Sequence, residues 1–308
     1  MWCEDSAEVR RTLAQGTTGF PLLGRARTVS PYAQRVPAAL VTGAAGGLGL
    51  AIARMLAERG HAVTVTDLDG EGAEGAAEAI GSGARGRRLD VTDAADCAAA
   101  AREVAERDGP LDVWVNNAGV LITGVAYQQD PAAQRAMLEV NAVGTFNGTR
   151  AALEVMLAAG RGHVVNVISL AGLVAAPGEV AYAASKHAAI AYSIGTLADL
   201  RRSGVRGIDV SAVCPDGIWS PMLEDKLDDP DAAASFSGSM LTPQQVAERV
   251  GRVLDYPSPV VTIPRWRGAF VRAFDAFPRL ATLMVPLVMK AARRRQRAFA
   301  RRLERQAP

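Results

Sequence analysis

The chain has 308 residues, enough to bury a large core in one domain with extensions. Hydrophobic residues make up 49% and charged residues 21%, ordinary for a globular enzyme, and a net charge of +2 gives no global field for nucleic acid. Cys3, Cys97 and Cys214 are odd in number and far apart, which excludes a disulfide framework and a zinc knuckle and fits a reducing, cytoplasmic compartment; His61, His163 and His187 have no metal-ligand spacing, so no metal site is expected.

Residues 1–36 carry Gly16, Gly19, Pro21, Gly24 and Pro31 without sustained periodicity and read as a flexible extension. They contain no long apolar run of the secretory kind. From Ala38 the pattern alternates strand and helix. Ala38–Val41 is a short apolar strand, and Leu50–Ala57 is a helix with apolar residues three and four apart. Between them lies Thr42-Gly43-Ala44-Ala45-Gly46-Gly47-Leu48-Gly49. Glycines let the backbone bend tightly and let a ligand come close. The helix start offers unpaired N–H groups and a partial positive charge, so the turn is a candidate phosphate site.

Ala62–Asp67 follows as a β-branched strand, then a helix over Gly70–Ile80 and a short strand over Gly86–Val91. An Asp-capped helix runs from Asp93 to about Asp108, and Leu111–Asn116 is the next strand. Helix is expected over Pro131–Ala159, strand over His163–Ser169, and a long helix over Glu179–Arg202. Gly207–Cys214 is a strand, Pro243–Leu254 a helix and Val260–Ile263 the last strand. This alternation predicts an α/β fold: a Rossmann-like, doubly wound parallel sheet of about seven strands flanked by helices over 37–264, with a helical tail over 265–308. Ligands bind such sheets beyond the carboxyl ends of the strands.

Two features at those ends carry chemistry. Asp67 closes the second strand, where a carboxylate can accept hydrogen bonds from both adenosine ribose hydroxyls. It would repel a 2′-phosphate, and no Lys or Arg lies in the glycine turn or directly after Asp67, so NAD is expected over NADP. Tyr182 and Lys186 are four apart, one turn along one helix face. A nearby ammonium favours tyrosinate, lowers the phenol pKa and makes a usable general acid/base. With lysine present only at 186, 226 and 290, such a pair rarely arises by chance. Ser169 ends a predicted strand, and its hydroxyl is placed to hold a carbonyl oxygen beside the phenol.

Thr42-Gly43-x-x-x-Gly47-x-Gly49, Asn116-Asn117-Ala118-Gly119, Asn141, Ser169 and Tyr182-x-x-x-Lys186 together resemble the single-domain branch of the short-chain dehydrogenase/reductase family, over about residues 38–264. The resemblance implies Tyr182 as general acid/base and Lys186 as the residue that binds the nicotinamide ribose and lowers the Tyr182 pKa. It implies Ser169 as the residue that orients the substrate oxygen, and Asn141 as holder of a relay water. It places Thr42, Gly43, Gly47, Leu48, Gly49, Asp67, Asp90, Val91, Asn117, Ala118 and Gly119 at the cofactor, with Tyr182, Lys186, Pro215, Gly217, Ile218 and Ser220. The family commonly has Pro-Gly after the sixth strand and a Thr four residues on. Here Cys214-Pro215-Asp216-Gly217-Ile218-Trp219-Ser220 puts Asp216 in the glycine's place and Ser220 in the threonine's. A glycine displaced to 217 can supply the turn, and neutral drift in a loop and a special role for Asp216 are both open readings.

Residues 220–241 are rich in Asp, Ser and Gly and match the family's substrate lid, with apolar members that suggest a hydrophobic substrate. In the tail, Trp266, Phe270, Phe274 and Phe277 recur at helical spacing. Leu280–Met289 is apolar apart from Pro286, and an arginine cluster runs from Arg293 to Arg305. The run is shorter than the ~20 residues needed to span a bilayer. It fits an interfacial helix on anionic lipid, and equally a helix packed over the substrate mouth or on another subunit.

The sequence therefore predicts an NAD-dependent dehydrogenase acting on a lipophilic secondary alcohol or ketone of steroid, terpene or long-chain type. A homo-oligomer (dimer or tetramer) is expected, with peripheral contact at the inner face of a membrane and no nucleic-acid partner. The alternatives are an NAD-binding sensor or structural protein, which would have no use for a proton relay, and a sugar-nucleotide epimerase or dehydratase, whose glycine spacing fits less well.

Overall fold

The computed structural model describes residues 35–305. Cys3 and nearly all of the expected extension lie outside them. Seven parallel strands form one sheet in the order β3-β2-β1-β4-β5-β6-β7. They are β1 (Ala38–Thr42), β2 (Ala62–Asp67), β3 (Arg85–Arg88), β4 (Leu111–Asn116), β5 (Gly162–Val167), β6 (Ile208–Pro215) and β7 (Val260–Ile263). The order reverses between β1 and β4, the switch point at which such sheets open a ligand crevice.

Ten helices accompany the strands among the described residues: α1 (Gly47–Glu58), α2 (Gly70–Ile80), α3 (Ala94–Asp108), α4 (Pro131–Leu138), α5 (Gly144–Ala159), α6 (Val180–Arg202), α7 (Pro221–Glu224), α8 (Pro243–Asp255), α9 (Arg265–Asp275) and α10 (Pro278–Glu304). A π turn, Glu139–Val143, joins α4 to α5, and short 3-10 turns cover Leu170–Gly172 and Pro230–Phe236.

Alternation along β1 explains the layering. Ala39 and Val41 face one core with Ile52 and Leu56 of α1, Ala73 of α2 and Val246 and Val250 of α8. Ala38 and Leu40 face the other with Cys97 and Val104 of α3, Ala152 and Met156 of α5, and Trp114. A sheet covered on both faces needs strands apolar throughout, and all five residues of β1 are buried.

The strand and helix readings hold with three differences. The third strand ends at Arg88 rather than Val91: Asp67 is its last register partner, and the Asp90 carboxylate then accepts from Thr92 N (2.9 Å) and Thr92 Oγ1 (2.7 Å), turning the chain. The fifth strand ends at Val167, and Ser169 instead caps the next 3-10 turn, its Oγ accepting from Ala171 N at 3.1 Å. Finally, Pro286 does not interrupt the tail. It sits exposed within α10, where a proline removes one main-chain donor. The helix face made by Ala281, Val285, Met289, Ala292, Gln296, Phe299 and Leu303 is buried or half-buried, and that packing outweighs the loss.

Candidate active site

The glycine turn is built by close approach. Gly43 has φ +62°, and a Cβ there would lie 2.6 Å from Ala118 Cα. A Cβ on Gly49 would lie 2.2 Å from the Gly43 carbonyl oxygen, so α1 can start where it does only with glycine. Gly46, by contrast, has nothing within 4 Å of its virtual Cβ, and α1 begins with no side-chain cap and no acid in its first turn. That leaves a helix N-terminus of N–H donors at an open backbone, a donor set that fits a dinucleotide's pyrophosphate.

Thr42 stands behind this turn rather than on the cavity wall. Its buried Oγ1 accepts from Asn117 N (3.0 Å) and Ala118 N (3.1 Å). Asn117 Nδ2 returns bonds to the carbonyls of Thr42 (3.0 Å) and Gly43 (2.8 Å). The ends of β1 and β4 are thereby tied together at the switch point.

Asp67 is half-buried at the cavity edge, its carboxylate accepting from Ala45 N (3.1 Å) and Asp69 N (3.2 Å). Two fixed donors aim it before any ligand arrives. The register also places Arg88 of β3 beside Asp67, a cation that inspection of the residues following Asp67 could not find. The Thr92 hydrogen bonds hold the Asp90 carboxyl below its ordinary range, with Arg88 adding to the effect.

At the other side, Tyr182 and Lys186 lie near the start of α6. Ser169 stands beside Tyr182, its hydroxyl favouring the ionised phenol, and Lys186 Nζ lies 5.7 Å from the ring centroid. Nζ also donates to the Val167 carbonyl at 3.4 Å. The expected lowering of the phenol pKa is absent in this structure. Burial pushes Tyr182 up, the charge of Glu179 pushes the same way, and only the Ser169 hydroxyl opposes them, although part of the ring is open to the cavity. Burial also pulls Lys186 down to about 8. One desolvated environment disfavours both ions.

Asn141 is fully buried in the π turn and does not reach the cavity wall. Its Oδ1 accepts from Val120 N (2.8 Å), and its Nδ2 donates to Val120 O (2.9 Å) and Ser185 Oγ (3.0 Å). It locks the loop after β4 against α6. Gly119 fits between: a Cβ there would meet Asn141 Oδ1 at 3.0 Å and Lys186 Nζ at 3.4 Å.

Two residues escaped the sequence reading. Glu179, the residue before α6, is buried and accepts from Ser235 N (3.0 Å) and Ser235 Oγ (2.7 Å), and burial pushes its carboxyl up to about 7. Only its place three residues before Tyr182 hinted at it; Ser235 is 56 residues away. Arg267 of α9 answers the question left by Asp216. Its Nε donates to Asp216 Oδ2 at 3.0 Å in a buried ion pair, and Asp216 also accepts from Ser239 N at 3.0 Å.

All of this borders one cavity of about 830 Å³. Its wall includes Gly43, Gly47, Leu48, Gly49, Asp67, Asp90, Val91, Asn117, Ala118, Gly119, Pro215, Gly217, Ile218 and Ser220 together with Ser169, Tyr182 and Lys186. The arrangement joins a helix start with open N–H donors, a fixed carboxylate, and a phenol, a hydroxyl and an ammonium on the wall of one cavity.

Comparison with known proteins agrees. The model of the short chain dehydrogenase family matches residues 37–231. The chain is 36% identical to 2-(S)-hydroxypropyl-CoM dehydrogenase 3 of Xanthobacter autotrophicus, over 72% of this chain and 91% of that one. It is 35% identical to cyclopentanol dehydrogenase of a Comamonas species, over 68% and 86%. Among solved structures, an actinorhodin polyketide ketoreductase crystallised with NADPH superposes with a TM-score of 0.67 at 30% identity, covering 74% of this chain and 95% of that one. The chain belongs to the short-chain dehydrogenase/reductase family and is an oxidoreductase acting on CH–OH groups with a nicotinamide cofactor.

Proposed function

We propose, from that family membership, that the protein interconverts a lipophilic secondary alcohol and its ketone with NAD. The observation that carries this is the meeting, in one cavity, of the glycine turn and Asp67 with Ser169, Tyr182 and Lys186. A nicotinamide cofactor held there supplies hydride exchange with the carbinol carbon. Tyr182 gives its phenol proton to the substrate oxygen in reduction and takes it back in oxidation. Ser169 donates a hydrogen bond to the same oxygen. Lys186, its ammonium still charged at neutral pH, binds the nicotinamide ribose and offsets charge that develops on the phenol. Asn141 acts from behind, fixing the loop at Gly119 and Val120 and supporting the proton path.

The choice of NAD rests on Asp67, aimed by two main-chain donors into the place a 2′-phosphate would need. The test is a screen of steroid, terpene and long-chain alcohols with NAD and with NADP, read as absorbance of the reduced nicotinamide. Turnover with NAD is expected. NAD binding without turnover of any alcohol or ketone would overturn the reading.

A homo-oligomer, dimer or tetramer, is part of the proposal and is tested by sedimentation velocity. So are a cytoplasmic location and peripheral contact at the inner face of a membrane. No helix among the described residues is long and apolar enough to cross a membrane. On α10, however, the face turned away from the protein exposes Leu280, Leu283 and Leu287, with Phe277 just ahead of it. Further along, the same helix exposes Arg293, Arg294, Arg297, Arg301 and Arg302. Apolar insertion plus ~1 kcal/mol per cation near anionic lipid supports peripheral binding. Full-length protein should co-sediment with phosphatidylglycerol vesicles at low salt, and Leu283→Glu with Leu287→Glu should release it. Indifference of the wild type to such vesicles would remove the membrane from the proposal.

A further inference from the structure

Beyond Tyr182 and Ser169 the cavity continues under α9 and α10, where its wall is formed by Phe270, Phe274, Val285, Val288, Met289 and Ala292. Phe270 and Phe274 are four apart on α9, and Val285, Met289 and Ala292 are four and three apart on α10, so each helix lends one apolar stripe to the cavity, with Phe270 at its exposed edge. None of these six side chains carries a charge or a hydrogen-bonding group. Two arginines line the same cavity beside these six: Arg267, paired with Asp216, and Arg295, which is exposed and donates from NH1 to the Ser237 carbonyl.

We propose that this part of the cavity is a second binding chamber, which takes an extended, uncharged apolar arm attached to the carbinol carbon, and that the Asp216–Arg267 pair positions its wall. The proposal rests on the alcohol/ketone reading above and names the part of the substrate which that reading leaves open. A charge on the arm set among these six side chains would lose its hydration with no partner in that stretch of wall.

The positioning argument follows the connections. Asp216 stands in the loop after β6 that also lines the cofactor side, and Arg267 stands on α9. Between them runs 237–239: Arg267 NH2 donates to Ser237 Oγ at 3.0 Å and Ser239 N donates to Asp216 at 3.0 Å. Gly238 is required there, since a Cβ would fall 1.9 Å from Asp216 Oδ2. Further along, buried Gln296 of α10 donates from Nε2 to the carbonyls of Lys226 and Asp229, both at 2.8 Å. Phe299 packs on Trp219 (centroids 5.0 Å) and Phe236 (6.2 Å). Loop, lid and tail are thus one connected wall, and Asp216, the departure from the family's glycine, joins it to the cofactor side.

The test uses full-length protein with NAD and the 2-alkanols from 2-butanol to 2-dodecanol, together with calorimetric binding of 2-dodecanone to the NAD-loaded protein, a pair that cannot exchange hydride. Wild-type kcat/KM should climb about fourfold per added methylene until the chamber is full. Met289→Trp fills the chamber without unpairing any polar group. It should flatten the series and weaken 2-dodecanone binding tenfold or more. Arg267→Met should raise KM for the long alkanols more than for 2-butanol, with kcat changed less, and Arg267→Lys should recover part of the loss; a merely structural role would not depend on chain length. A flat wild-type series with good turnover would overturn the chamber and leave the alcohol/ketone reading standing. Loss of long and short substrates alike in Met289→Trp would overturn it as well. Binding of 2-dodecanone that Met289→Trp abolishes, with no alkanol turned over, would support the chamber and overturn the function.

Discussion

The cavity has two ends made of different material. At the cofactor end the contacts are main chain: glycines at 43 and 49 that admit no Cβ, an uncapped helix start, and a carboxylate aimed by two N–H groups. At the cap end the contacts are side chains that arrive from far apart in the sequence, Asp216 with Arg267, Gln296 with the carbonyls of 226 and 229, Phe299 with Trp219. Backbone construction holds a ligand common to many reactions, whereas side-chain construction is free to change with the substrate. The difference teaches where specificity resides, and it can be attacked from either end.

The largest effect is expected where the ends meet. Tyr182→Phe removes the transferable proton and should lower turnover by ~10²–10⁴ while NADH binding, followed by fluorescence, is retained. Unchanged turnover would mean that neither end serves Tyr182 chemistry. Next comes the cap. Arg267→Met leaves the Asp216 carboxylate with Ser239 N but without its cation in a largely buried place, which costs on the order of 1–3 kcal/mol. Thermal unfolding should show the loss, and the double variant with Asp216→Gly should recover much of it. At the cofactor end, Gly49→Ala forces a Cβ against the Gly43 carbonyl at 2.2 Å and should cost ~1–3 kcal/mol and weaken NAD binding. An alanine accepted there without loss would refute the account of the turn.

Smaller still is the cofactor choice. Asp67→Ala should shift the NAD:NADP preference roughly tenfold towards NADP by removing repulsion of a 2′-phosphate. A wild type that already prefers NADP would point to Arg88 on the neighbouring strand as the stronger group. The smallest effect is with pH. Burial raises the Glu179 carboxyl from an ordinary 4.5 to about 7. Between those values the unfolded chain gives up its proton while the folded one keeps it, so this group's contribution to stability falls as pH rises from about 4.5 to about 7. Glu179→Gln keeps an acceptor for Ser235 and should flatten that part of the curve of melting temperature against pH.

The same contrast explains what was legible in the sequence. β1, the glycine turn and Asp67 were readable because strand period, glycine freedom and an acid at a strand end are local patterns. Tyr182 and Lys186 were readable because four residues make one helical turn. The Asp216–Arg267 pair joins residues 51 apart, Glu179 and Ser235 are 56 apart, and no period links them. Asp216 was noticed only as a departure from a family pattern, and its partner needed three dimensions. The upward push on Tyr182 is hidden for a related reason: the spacing to Lys186 is local, whereas the burial that raises the phenol is made by the whole cavity. In the tail the apolar residues were visible, but their division between an inward stripe and an outward face depended on how α10 packs.

Gln296 has a mechanical consequence. A single amide satisfies two carbonyls, and one helical turn to either side of it stand Ala292 and Ala300. If α10 slid by one turn, ~5.4 Å, a methyl group would face those carbonyls and leave both without a donor. The helix is therefore pinned along its own axis and cannot ratchet past the segment it covers. Any motion that opens this side of the cavity must swing α10 and residues 226–236 together as a hinged door, not a sliding bolt.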